Sequence, residues 1–101
     1  MLIKFTPSAR TQFLDGISNI KQDNPIAAQN FRQHAEEVLR RLIDFPDSGK
    51  AIREFPDLPF REVVVAPYRF FYRVKEDVIW IVSVWHSAQQ AGLPEADLKN
   101  I

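Results

Sequence analysis

The sequence predicts an α+β domain: an N-terminal strand, an α-helical hairpin, then a three-stranded antiparallel meander carrying the hairpin on one face. Three observations lead there. Residues 68–86, YRFFYRVKEDVIWIVSVWH, form two arms rich in aromatic and β-branched residues, broken only at Lys75-Glu76-Asp77. Between Thr6 and Pro46, apolar residues recur three and four apart in two runs divided by Asp23-Asn24-Pro25. Arg61 to Ala66, REVVVA, supplies one more β-rich run directly before the hairpin.

In chain order, Met1 to Phe5 alternates and reads as a strand. Thr6-Pro7 opens a helix, with Thr6 as cap and Pro7 at the first helical position. Its buried stripe is Ala9, Phe13, Ile17 and Ile20, and Gly16 within it reads as a tolerated glycine or a close helix contact. Asn24 caps the next helix at Pro25, and Pro46 requires it to stop. Its stripe is Ala28, Phe31, Ala35, Val38, Leu39, Leu42 and Ile43, with Glu36–Arg40 and Glu37–Arg41 pairs expected on the wet side. So short a link makes the two helices an antiparallel pair. Asp47-Ser48-Gly49 is a turn, and Lys50 to Pro59 reads as a loop with a short extended piece. After His86, Gly92 and Pro94 leave room only for a last turn of helix. Residues 1–101 read as one domain without repeats.

With Glu76-Asp77 as the loop, Lys75 faces Val78, Arg73 faces Trp80, Phe71 faces Val82 and Arg69 faces Val84. Alternation then puts Phe70, Tyr72, Val74, Ile79, Ile81, Ser83 and Trp85 on an apolar face expected to meet the core. The other face carries Arg69, Phe71, Arg73, Lys75, Val78, Trp80, Val82, Val84 and His86, a mixture that suits a partner-binding surface. A slip of one residue would exchange the faces.

Composition narrows the function. Thirteen Lys and Arg balance thirteen Asp and Glu, so the chain lacks the basic excess usual in proteins that bind nucleic acid through phosphates. There is no cysteine, hence no disulfide framework or thiolate zinc site, which fits a cytoplasmic protein. Neither a signal peptide nor the ~20 apolar residues of a membrane span is read, and no membrane association is expected. No Gly-rich phosphate loop, metal-type His/Cys cluster or nucleophile elbow occurs, so neither cofactor nor metal is expected.

Arg69 and His86 fall as diagonal neighbours in this register. A guanidinium stabilises charge on phosphorus and an imidazole moves protons near neutral pH, so together they could support RNA cleavage. The plainer reading pairs Arg69 and Arg73 with carboxylates and leaves His86 at a strand end. His34 reads as a rim histidine. Lys50, Arg53 and Arg61 form a loose basic group, either a solvated loop or an anion-binding patch. Trp85 is expected in the core, and Trp80 is either a partner anchor or covered by the C-terminal tail.

The run from Gly49 to Tyr72, GKAIREFPDLPFREVVVAPYRFFY, with Tyr68, Arg69 and Tyr72, resembles the RelE/ParE superfamily of type II toxins from bacterial toxin–antitoxin modules. Asn24-Pro25, Ala28, Phe31, the segment LIDFPDSG and the ending Val84-Trp85-His86 are similar to the same family, closer to its ParE-type members. The resemblance implies a toxin neutralised by a cognate antitoxin and acting by binding DNA gyrase. The alternatives it implies are a ribosome-dependent mRNA endonuclease using Arg69 and His86, or an inactive homologue that only binds antitoxin. Phe71, Arg73, Lys75, Trp80, Arg61 and Arg53 would then contact antitoxin or target. The sequence departs from many relatives after His86, where Ser87-Ala88-Gln89-Gln90 replaces an Arg-rich continuation.

Overall fold

In the computed structural model, which describes residues 1–88, the elements follow the predicted order. They are β1 (Leu2–Phe5), α1 (Pro7–Asp23), α2 (Pro25–Asp44), β2 (Lys50–Ala51), β3 (Arg61–Val65), β4 (Tyr68–Lys75) and β5 (Val78–His86). The expected final helical turn lies outside the described residues.

Both helices start as their sequences dictate. The Thr6 hydroxyl accepts from the Ala9 N–H at 3.2 Å, and the Asn24 side chain accepts from the Ala27 N–H at 3.0 Å. Each cap is followed by proline, whose fixed φ and missing N–H suit the first turn. Ala28, Phe31, Ala35, Leu39 and Leu42 of α2 are buried, whereas Ile43, placed in the stripe by spacing, is exposed. Glu36 turns back to Arg32 at 3.3 Å rather than forward to Arg40. Gly16 makes its close approach to the sheet rather than to the other helix: a Cβ there would come within 3.0 Å of the Tyr68 ring.

The five strands lie in the order β1-β5-β4-β3-β2, antiparallel except for β1, which runs parallel to β5. Glu76 and Asp77 form the β4–β5 turn, both with positive φ (52° and 62°), the twist a two-residue hairpin needs. The predicted pairing holds from Lys75↔Val78 to Arg73↔Trp80 and on to Tyr72↔Ile81. It then shifts by one residue: Phe71 pairs with Ser83, Arg69 with Trp85 and Tyr68 with His86.

This β-bulge, with Val82 the extra residue, corrects the expected faces at the far end of the hairpin. Gln12 of α1 accounts for it locally. Its side-chain oxygen accepts from the Ser83 hydroxyl at 3.2 Å and the Val84 N–H at 2.7 Å. Val84 consequently joins the core beneath the helices, while Trp85 crosses to the outer face, contrary to the period-two reading.

Each face of the sheet has its own apolar cluster. The larger lies under the helices and contains Phe31, Leu39, Tyr68, Phe70, Tyr72, Ile79 and Ile81. On the outer face, the segment between β2 and β3 folds over the sheet, so that Ile52 and Phe60 enclose Phe71 and Val82, with Phe55, Trp80 and Trp85 around them. Much of the face expected to be open is therefore core: Phe71 and Val82 are both 0% exposed.

Candidate functional site: two surfaces and a locked arginine

Arg69 is held by two carboxylates. Its Nη1 and Nη2 donate to the two oxygens of Glu54, each at 2.9 Å, and its Nε donates to Glu62 at 2.8 Å. The guanidinium also lies 4.9 Å from the Phe71 ring. Two-point geometry of this kind is the strongest form of a carboxylate–arginine contact. Hydrogen bonding from Arg69 outweighs partial desolvation and draws the Glu54 carboxyl down from 4.5 to about 2. The same pairing raises the Arg69 pKa above the usual arginine range. The plainer sequence reading of Arg69 thus describes its contacts.

His86 is on the other face. Its ring meets that of Tyr68 edge-on at 5.2 Å, and its Nδ1 accepts the Ala88 N–H at 3.0 Å. The bulge that moves Trp85 outward turns His86 toward the helices, so the diagonal Arg69–His86 pairing expected from sequence does not form.

Arg61 and Tyr72 fix the turn after α2. The buried Gly49 N–H donates to the Tyr72 hydroxyl at 2.9 Å, and that hydroxyl donates to the Pro46 carbonyl at 2.7 Å. Arg61 Nη1 donates to the Gly49 carbonyl at 2.8 Å. Burial pushes the Tyr72 phenol above its ordinary range. A Cβ on Gly49 would come within 2.5 Å of the Tyr72 oxygen and 2.8 Å of the Glu62 carbonyl, so glycine is required for close approach. Arg61, expected among the partner contacts, is engaged in building this turn.

The turn forms one end of a groove of about 770 Å³ between α2 and the edge of the sheet. His34, Val38, Arg41 and Phe45 line it from the helix side, and Lys50, Arg53, Val63 and Val64 from the strand side. Phe45 is 65% exposed and Val64 57%, so its apolar walls are wet. β2 pairs only with Arg61 and Glu62, so that on the side away from β4 half-buried Val63 and exposed Val64 have no strand beside them among the described residues. An edge of that kind can accept an added strand. Of the expected contact residues, Arg53 lies here; Phe45, Val64 and His34 were not among those residues.

Trp80, Arg73 and Lys75 belong to the opposite corner of the sheet. Trp80 is half-buried against the outer cluster, with Lys4 Nζ 5.7 Å from its ring, and Arg73 lies 5.6 Å from the ring of Phe60. Phe71, expected as a binding residue, supports this surface from beneath and is not itself accessible. Among the described residues no group of three His, Cys, Asp or Glu side chains is placed to hold a metal, and no helix is long and apolar enough to cross a membrane.

No curated protein matches this chain. Among solved structures, a chain described as the chromosomal ParDE toxin–antitoxin system from P. aeruginosa is similar to it in fold, with a TM-score of 0.67 and 21% identity. That match covers 85% of this chain and 95% of the other. The family model for the ParE toxin of the type II toxin–antitoxin system, parDE, matches residues 3–91. The helical hairpin, the meander and this match over most of the sequence agree, and the chain belongs to the ParE toxin family.

Proposed function

We propose that this protein is a growth-inhibiting toxin that binds DNA gyrase in the cytoplasm and is neutralised when its antitoxin occupies the groove between α2 and the β3 edge. Membership of a toxin–antitoxin family implies an antitoxin partner. The observation that carries the antitoxin site is the β3 edge at Val63 and Val64, beyond the end of β2, beside exposed Phe45. His34, Arg41, Lys50 and Arg53 around the groove favour a segment with apolar side chains and acidic flanks. The gyrase assignment is supported by the family and by Arg69, whose guanidinium is already matched by Glu54 and Glu62 rather than presented to a phosphate. The arrangement gives the mRNA-cleaving alternative no Arg69–His86 pair to work with.

Co-expression with the product of the neighbouring gene, followed by supercoiling assays on the purified proteins, tests this reading. The toxin alone should inhibit gyrase, and the stoichiometric complex should not. Val64→Asp should weaken the complex at least about tenfold, the scale of a single interface anchor, without changing inhibition by free toxin. A toxin that binds the antitoxin yet inhibits nothing would be an inactive homologue. Unchanged antitoxin affinity in Val64→Asp would show that the antitoxin binds elsewhere than in the groove.

A further inference from the structure

The cations on the outer face form an ordered arrangement at the edge of the sheet opposite the groove. Lys4, Trp80 and Arg73 are paired across β1, β5 and β4, and the next row is Leu2, Val78 and Lys75. All six side chains point away from the helices by alternation, since Ile3 between Leu2 and Lys4, Ile79 between Val78 and Trp80, and Tyr72 just before Arg73 pack into the helix-side core. Leu2 is 62% exposed, and Val78 and Trp80 are half-buried. The result is an apolar floor of Leu2, Val78 and Trp80 bordered by Lys4, Arg73 and Lys75. The turn carboxylates Glu76 and Asp77 close the lower end of the patch.

We infer that this patch is a docking surface for an acidic segment of the toxin's target protein, one that places an apolar side chain on the Leu2–Val78–Trp80 floor. The inference rests on the gyrase reading for the identity of the target, and on the patch alone for the chemistry of the segment. Three cations around an apolar floor complement carboxylates flanking an aliphatic or aromatic residue. A nucleic acid fits less well. The chain has no net positive charge to hold a phosphate backbone, and the apolar floor gives such a backbone nothing to bury. The patch and the antitoxin groove lie at opposite edges of the sheet and share no residue. Target and antitoxin therefore need not compete for the same side chains.

The test follows the Trp80 indole N–H by NMR in full-length toxin. One titration uses a short peptide of Glu, Asp and Leu, and another a single-stranded oligonucleotide. The peptide should shift the signal saturably, and the double charge reversal Lys4→Glu/Lys75→Glu should weaken it at least about tenfold. Both lysines are exposed, so the variant should melt as the wild type does. In the supercoiling assay the same variant should need at least about tenfold more protein for inhibition while its antitoxin affinity stays unchanged. Wild-type toxin that leaves gyrase unaffected would end the gyrase reading only, and the titrations would still decide the surface. No peptide response, a stronger response to the oligonucleotide, or equal binding by the charge-reversed variant would overturn the proposal. So would full gyrase inhibition by that variant.

Discussion

Arg69 and Glu54 form a two-point ion pair, both contacts at 2.9 Å, that fastens the segment between β2 and β3 across the outer face of the sheet. Beneath this clasp Ile52, Phe60, Phe71 and Val82 make a second core. The pair joins a β4 side chain to a loop whose sequence has no regular period, and it occupies the arginine that the sequence offered for a role in RNA cleavage.

The clasp has a defined pH dependence. The folded Glu54 pKa, about 2, is below its ordinary 4.5, so its contribution is full above 4.5 and disappears as pH falls through about 2. Glu54 is a third exposed, so solvent screening limits the effect to about 1 kcal/mol. Glu54→Gln should lose that much stability at pH 7 and nearly nothing at pH 2. Urea melts of both proteins across this range check it; a difference independent of pH would contradict the ion-pair account.

Gly49 and Tyr72 should behave as one unit. Gly49→Ala must displace the Tyr72 ring or the Glu62 backbone and should cost about 2 kcal/mol or more. Tyr72→Phe removes both hydroxyl bonds and should cost about 1–3 kcal/mol. Because the two residues touch, the double variant should be less destabilised than the sum of the singles. Strict additivity in thermal melts would show that they act separately.

The hairpin turn can be improved. Asp77 sits at φ 62°, a conformation in which a non-glycine residue is disfavoured by roughly 1–2 kcal/mol, less for aspartate than for most. Asp77→Gly should therefore stabilise the protein by up to about 1 kcal/mol, since the relief exceeds the entropy glycine adds to the unfolded chain. A lower denaturation midpoint for the variant would refute this.

The helical part of the fold was legible because its signals are local: Thr6-Pro7 and Asn24-Pro25 mark the starts, and Pro46 marks the end. The hairpin register was legible from the turn to Arg73 and Trp80, where alternation alone governs. Beyond Val82 it was not, because the bulge is matched to Gln12, which is 71 residues before Ser83 and 72 before Val84. That single shift moved Val84, Trp85 and His86 to faces the pattern did not indicate. The groove was hidden for a similar reason: Phe45 and Val64 come from separate elements and become one surface only when α2 packs on the sheet. The loop over Phe71 carries Pro56 and Pro59 and no periodicity, so nothing in sequence announced that it covers a strand.

On the proposed function, the toxin binds gyrase and does not cut RNA. The most direct measurement compares wild type and His86→Gln in a supercoiling assay beside ribosome-dependent mRNA cleavage. General acid–base chemistry contributes ~10²–10⁴-fold where it operates, so its loss would be unmistakable. The expected result is gyrase inhibition by both proteins, within about twofold of each other, a change too small for a lost proton-transfer group, and no mRNA cleavage by either. Cleavage of mRNA by the wild type that disappears in His86→Gln would contradict the claim.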